Sequence, residues 1–184
     1  MDIVKKIAEE LGVKLWQVEA AINLIDEGNT IPFISRYRKE VTGALNDEQL
    51  RTLDERLKYL RNLEEKKQQV IGSIEEQGKL TEELKNRILA AETLVVVEDL
   101  YRPYRPKRKT RASVAKEKGL EPLAQFILKQ DTAEPLESEA EKYIDEEKGV
   151  KNAKEALQGA ADIIAESISD EADYRIYIRL LKVL

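Results

Sequence analysis

The sequence holds no cysteine and no histidine in 184 residues. Without thiols there are no disulfides, thiolate nucleophiles or zinc ribbons, and such a composition fits a reducing cytoplasm. Without imidazole the commonest general base and the commonest metal ligand are both missing. Catalysis would have to rest on carboxylates, lysines, tyrosines or hydroxyls, and no spacing in the chain assembles them, so the expectation is a non-enzyme with no cofactor and no metal. Glycine (8) and proline (5) are scarce. No apolar run reaches the roughly 18–20 residues that cross a bilayer. The start, Met1-Asp-Ile-Val-Lys-Lys6, lacks the hydrophobic region of a signal peptide. No membrane partner is expected.

What is present is charge: 36 % of residues are Asp, Glu, Lys or Arg, beside a hydrophobic fraction of 42 %. That combination, with little glycine or proline, describes long charge-striped helices and an all-α fold. Asp2 is placed to cap a first helix with Ile3, Val4, Ile7, Ala8 and Leu11 at helical spacing, stopped by Gly12. A second helix presents Leu15, Val18, Ile22 and Ile25 on one face. The pair has the spacing of a helix-turn-helix, but Gln17, Glu19, Asn23, Asp26 and Glu27 on the second helix would meet phosphates with the wrong charge. A structural hairpin is the better reading, with Trp16 packing at its edge. Thr30 and Pro32 open a short helix to about Arg38, which presents Arg36, Arg38 and Lys39 beside Tyr37. Asn46 and Gln49 form a capping box for the longest helix, to about Gln77, with Leu50, Leu53, Leu57 and Leu60 in 3-4-3 spacing. Only about two heptads are clean, so it reads as a central spine rather than a dimeric coiled coil.

Thr81 caps a helix to about Ala91. Thr93 to Tyr101 is β-branched enough for a strand, yet a lone strand has no partner, and a short helix is expected. Further short helices follow from Thr110, from Glu121-Pro122, and from a Ser138-x-x-Glu141 capping box running to about Ile144. Asp145 to Val150 reads as a turn without the alternating acids of a calcium loop. A helix from Lys151 to about Ile168 comes next, then a last one capped by Asp170 with Tyr174, Tyr177, Ile178 and Leu181 on its apolar side. Asp131 to Pro135 is the best linker, dividing a helical domain of residues 1–130 from an acidic helical extension of residues 131–184. The pattern breaks off at Leu184 without a C-cap, as in a larger protein.

One stretch stands apart, from Glu98 to Arg111. Arg102 and Arg105 each precede a proline, which pushes the backbone towards extended geometry. Lys107, Arg108, Lys109 and Arg111 follow with no apolar residue among them. Residues 98–118 carry a net charge of +5 in a chain whose total is −5, whereas residues 131–173 carry −10. A charged run is often no more than a solvated loop. As a site, this one would bind phosphates through Arg102, Arg105, Lys107, Arg108, Lys109 and Arg111 without reading sequence, with Tyr101 and Tyr104 stacking on bases. Arg36, Arg38 and Lys39 would join if the fold brings them near.

Five blocks recur to a known pattern. They are Thr30-Ile-Pro-Phe-Ile-Ser-Arg-Tyr-Arg-Lys-Glu-Val-Thr-Gly43; Ser73-Ile-Glu-Glu-Gln-Gly-Lys-Leu-Thr81; Glu98-Asp-Leu-Tyr101 with Pro103-Tyr104; Lys107-Arg-Lys-Thr-Arg111; and Glu117-Lys-Gly-Leu-Glu-Pro-Leu123. In that order they resemble the amino-terminal domain of the bacterial Tex family of transcription accessory proteins, over essentially the whole chain. The resemblance implies a large cytoplasmic multidomain protein. Its helical amino-terminal region would be followed by a ribonuclease-H-like domain, helix-hairpin-helix elements and an OB-fold RNA-binding domain. Partners would be RNA or DNA, the other domains of the parent protein, and the transcription machinery. No catalytic residues carry over. Two functions are expected to compete: a helical module that supports RNA or DNA binding without sequence specificity, and a scaffold module whose basic segment docks on the acidic half of the chain or on another domain.

Overall fold

A computed structural model describes residues 2–106, 109–130 and 135–182. Among the described residues the fold is carried by eleven α-helices and two 3-10 turns, and no strand forms. The chain separates into two compact units, residues 1–97 and 98–184.

In the first unit, α1 (Ile3–Leu11) begins where Asp2 accepts a hydrogen bond from Lys5 N at 3.0 Å and ends at Gly12 in the left-handed region. Next come α2 (Leu15–Asp26) and α3 (Ile31–Tyr37), the latter with Pro32 in its first turn, where the missing N–H costs nothing. The long α4 (Asp47–Glu76) starts with the expected reciprocal bonds between Asn46 and Gln49. Helices α1, α2, α3 and α5 (Glu82–Ala90) all pack on α4, whose buried stripe runs from Leu50 through Leu53, Leu57, Leu60 and Leu63 to Ile74. At polar edges, Arg56 grips Glu10 of α1 with two hydrogen bonds of 2.6 and 2.7 Å, and Arg61 grips Asp26 of α2 with two of 2.7 Å. The hydrogen bonds to Arg56 and Arg61 hold the Glu10 and Asp26 carboxyls below the usual carboxylate range. The spine is a packed centre, as its broken heptads suggest.

Lys67 continues that buried stripe and is fully buried. Its ammonium donates to Glu64 Oε1 and to the carbonyl oxygen of Leu89, both at 2.8 Å. Leu89 lies in the last turn of α5, where carbonyls have no partner within their own helix. A lysine of one helix thus caps the carboxy-terminal end of another, where the helix dipole favours a cation.

Helix α6 (Leu94–Tyr101) forms where the valine run invited a strand, and it crosses the boundary between the units. The second unit continues with a 3-10 turn (Arg102–Tyr104), α7 (Arg111–Glu117), α8 (Glu121–Lys129), α9 (Leu136–Ala140), a second 3-10 turn (Glu141–Tyr143), α10 (Ala153–Asp170) and α11 (Ala172–Leu181). Helices α7, α8 and α9 pack on α10 around Leu120, Leu123, Ala156, Ala160 and Ile163. The packing therefore groups residues 98–130 with α9, α10 and α11, whereas the sequence suggested a boundary at 130/131. Most of the linker expected at 131–135 lies outside the described residues.

Two caps differ from expectation. Helix α9 starts before Ser138, whose N–H is already engaged by the carbonyl of Pro135 at 3.1 Å, and it gives way to a 3-10 turn at Glu141. The Ser138 capping box does not form. Asp170 is the last residue of α10 rather than the cap of α11, because its carboxylate is taken by Arg102.

Candidate nucleic-acid interface

The basic stretch is folded into the second unit. Arg102, expected to be extended, sits in the 3-10 turn after α6, with Pro103 early in that turn where proline is tolerated. Arg105 does take the extended backbone expected before proline, at φ −64° and ψ 132°. Lys107 and Arg108 lie outside the described residues. The Thr110 side chain accepts from Ser113 N and starts α7 as expected, which places Arg111 in its first turn.

Each of the four described cations from 102 to 111 faces an acid. Arg102 Nε donates to Asp170 Oδ1 at 2.8 Å, and the Asp170 side chain is nearly buried. Arg105 pairs with Glu98, and its guanidinium also lies 5.7 Å from the centroid of the Tyr101 ring. Lys109 stands 3.5 Å from Glu117, and Arg111 stands 3.8 Å from Asp162 of α10. The first pair is held between two elements. The last two are long, with side chains 71 % and 87 % exposed on the basic side. Exposed pairs of that kind contribute about 0–1 kcal/mol each.

The pattern runs the other way at Asp99, which lies within the Glu98-Asp-Leu-Tyr101 block but was given no role of its own there. It is buried at the end of α6, and Arg175 Nε of α11 donates to its Oδ1 at 2.8 Å. Its Oδ2 lies 2.6 Å from Arg179 Nη2, an ion pair without hydrogen-bond alignment. The available signal was on the partner helix, since Arg175 and Arg179 are one helical turn apart and must share a face.

Between α7 and α10 an open groove of ≈ 450 Å³ is lined by Lys109, Arg111 and Lys118 on one side and Glu155 and Asp162 on the other. Gly159 lines it, and lets Leu120 pack close to α10: a Cβ there would fall 2.4 Å from Leu120 Cδ1. Lys118 is engaged, donating to the carbonyl of Gly149 at 2.8 Å.

Arg36, Arg38 and Lys39 belong to the first unit, at the end of α3 and in the loop after it. Among the described residues none of the three has an ion-pair partner. The Arg38 guanidinium lies 5.2 Å from the centroid of the Phe33 ring, and that ring is 5.3 Å from the ring of Tyr37. Phe33 was not among the expected site residues; its i,i+4 spacing to Tyr37 was the available signal. No described helix is long and apolar enough to cross a membrane.

Comparison with known proteins adds lineage. Residues 1–75 match the family profile of the Tex-like protein N-terminal domain, and residues 130–181 match that of the Tex central region. The chain is 51 % identical over 95 % of its length to the uncharacterized protein YdcI of Bacillus subtilis, covering 24 % of that protein. It is 48 % identical over 94 % of its length to the transcriptional accessory protein Tex of Neisseria gonorrhoeae, covering 22 %. To the human S1 RNA-binding domain-containing protein 1 it is 32 % identical over 98 % of its length, covering 18 %. The chain thus spans about a quarter or less of the length of these curated relatives. Across both matched regions it belongs to the Tex-like family.

Proposed function

We propose that the chain is a non-catalytic helical module of a transcription accessory protein, and that its basic stretch serves chiefly to fix the module's own architecture. The observation that carries this reading is the pairing of Arg102 with Asp170. A cation from the turn after α6 neutralises a nearly buried carboxylate at the end of α10, while Asp99 of α6 takes two arginines of α11. Charge crosses in both directions between the start of the second unit and its last helices. A carboxylate so enclosed is costly unless paired. Arg102→Ala should lower stability by about 1–2 kcal/mol, discounted from the larger cost of breaking a fully buried pair because the arginine is half exposed. Thermal melting followed by circular dichroism tests this. A variant that melts with the wild type removes the architectural role.

A second reading rests on the looseness of the outer pairs. Lys109 and Arg111 are largely exposed and only weakly held, so phosphates could displace Glu117 and Asp162. With Lys107 and Arg108 they would bind RNA or DNA without sequence preference. Its test is the salt dependence of binding: about −0.9 in log–log slope per duplex phosphate contact, flattened in the Lys107→Ala, Arg108→Ala, Lys109→Ala triple variant. The cytoplasm, the transcription machinery and the remaining domains of a longer parent belong to this proposal as its setting.

A further inference from the structure

We infer that the first unit carries a docking face for another protein, and that the segment it takes is an acidic peptide bearing apolar side chains. This goes beyond the function proposed above and does not depend on it. The face is built from the start of α2, from α3 and from the loop after α3. Five of the seven large apolar side chains exposed on the described part of the first unit lie there: Leu15, Trp16, Phe33, Tyr37 and Val41. Exposed apolar residues scattered singly need no explanation, but their collection in one region marks an interaction site. Tryptophan, tyrosine and arginine are also the residues that carry most of the binding energy at protein interfaces.

The segments are tied together before any partner arrives. The Trp16 ring lies against Gly43, so closely that a Cβ there would fall 2.4 Å from Trp16 Cη2, yet the side chain remains 48 % exposed. Beside it, the Gln17 side-chain amide donates to the carbonyls of Thr42 and Gly43 at 3.3 and 3.0 Å. The Arg38 carbonyl accepts from Val41 N and Thr42 N, each at 3.1 Å, and Thr42 is fully buried. On α3 the Phe33 and Tyr37 rings meet one turn apart, with Tyr37 61 % exposed. Arg38 lies over the Phe33 ring and donates to the Tyr37 carbonyl at 3.0 Å. A face held in this way loses little freedom on binding.

Charge and apolar surface together select the partner. Residues 31–46 hold Arg36, Arg38 and Lys39 against Glu40 alone, in a chain whose total charge is −5. None of the three cations has an ion-pair partner among the described residues, so a partner's carboxylates would meet them without displacing another acid. A second copy of this chain would bring the same cations to the same place, because a two-fold contact matches like with like. Leu15 and Val41 are aliphatic and gain only when other apolar groups cover them. A sugar–phosphate backbone offers no such group, and bases would stack on the rings alone. An acidic segment carrying leucine or phenylalanine satisfies both halves of the face.

The test uses this 184-residue chain and reads Trp16, its one tryptophan, in place on the face. The probe is a synthetic tryptophan-free peptide of about sixteen residues, with Asp and Glu flanking a helical i, i+3, i+4, i+7 row of Leu and Phe. One control peptide carries Lys for every acid, and another carries Ser for every apolar residue. The probe should bind saturably, shift Trp16 emission to shorter wavelength and shield it from acrylamide; neither control should. Tyr37→Ala should weaken binding by about fivefold or more. The Arg36→Ala, Lys39→Ala double variant should weaken it and remove most of its salt dependence. The Lys5→Ala, Lys79→Ala double variant loses the same charge elsewhere in the first unit and should bind like the wild type. Melting followed by circular dichroism shows that each variant is folded. The inference is overturned if the probe leaves Trp16 unchanged at millimolar concentration, if either control binds as well as the probe, or if the Tyr37 and Arg36/Lys39 variants bind like the wild type. Shielding of Trp16 by oligo(dT) of about fifteen nucleotides but not by the peptide would also overturn it, and would give the face to nucleic acid.

Discussion

Replacing Lys67 tests the structure of the first unit at its most demanding point. The side chain is fully buried, and its ammonium is shared between Glu64 and the Leu89 carbonyl. Lys67→Met keeps the length of the side chain and removes the charge. The Leu89 carbonyl then loses its donor, at a cost of about 1–3 kcal/mol for a buried acceptor, and the end of α5 loses a cation worth about 0.3–1 kcal/mol. Against this, the methionine no longer has to desolvate an ammonium, a penalty of several kcal/mol for an ion in a protein interior. Glu64 is partly exposed and has a further partner, so losing Lys67 does not strand it. The terms nearly cancel, and the expected net is a loss of about 0–2 kcal/mol. Lys67→Ala forgoes the same bonds and adds a cavity, typically about 2–4 kcal/mol for a long side chain. It should therefore destabilise by about 3–5 kcal/mol.

The assay exploits the one tryptophan of the sequence, Trp16, on α2 of the first unit. Its fluorescence in urea reports that unit, while circular dichroism reports both. With a urea slope of about 1–1.5 kcal/mol per molar for a domain of this size, Lys67→Ala should move the fluorescence midpoint down by about 2–5 M, or unfold the unit outright. Lys67→Met should move it by less than about 2 M. If both variants unfold with the wild type, Lys67 reaches solvent and the capped end of α5 is a misreading. If Met is as damaging as Ala, the charge rather than the volume dominates, and the cancellation above is refuted.

Three further outcomes are expected. Gly43→Val should cost about 2 kcal/mol or more and shift Trp16 emission, because the backbone is left-handed and a Cβ would sit 2.4 Å from Trp16 Cη2; wild-type melting and emission would refute the close approach. Glu10 and Asp26 have carboxyls depressed by Arg56 and Arg61, so their contribution is present above the ordinary carboxylate range and lost as pH falls through the lowered values. The Trp16 urea midpoint should drop below about pH 4, and Glu10→Gln with Asp26→Asn should blunt that drop; an equally steep fall in the double variant contradicts it. Asp99→Ala should destabilise the second unit by about 2–3 kcal/mol in melting, since Arg175 and Arg179 lose a buried partner, and an unchanged melt would remove that junction.

Most helices were legible because their signals are local. Asp2, Asn46, Thr81 and Thr110 cap where spacing put them, and the stripe of α4 is buried from Leu50 to Ile74. The stripe also carried its exception in plain view: Leu63, Lys67 and Val70 keep the 4-3 spacing, so a lysine occupied a core position by register alone. Where a polar side chain had two possible partners the sequence misled. Ser138 and Asp170 both fit the pattern of an N-cap, yet one has its N–H engaged by Pro135 and the other is claimed by Arg102, 68 residues away in the chain. No local pattern contains a partner that distant. The packing divides the chain at 97/98, whereas the composition shift near residue 130 coincides with the start of the second family match.

The same distinction governs the charges. A run of cations is visible in sequence as density, but density does not say whether the charges are free. Between 102 and 111 the described cations all face carboxylates, and the strongest pairing is with the least exposed one, Asp170. At α3 fewer cations stand in a less conspicuous block, and they have no ion-pair partner among the described residues. Phosphate must compete with Asp170 for Arg102, whereas for Arg36 or Lys39 it competes only with water and salt. Affinity for nucleic acid follows the cations that remain to be neutralised, not the number in the run. On the reading proposed above, the longer run is therefore spent first on the module's own structure.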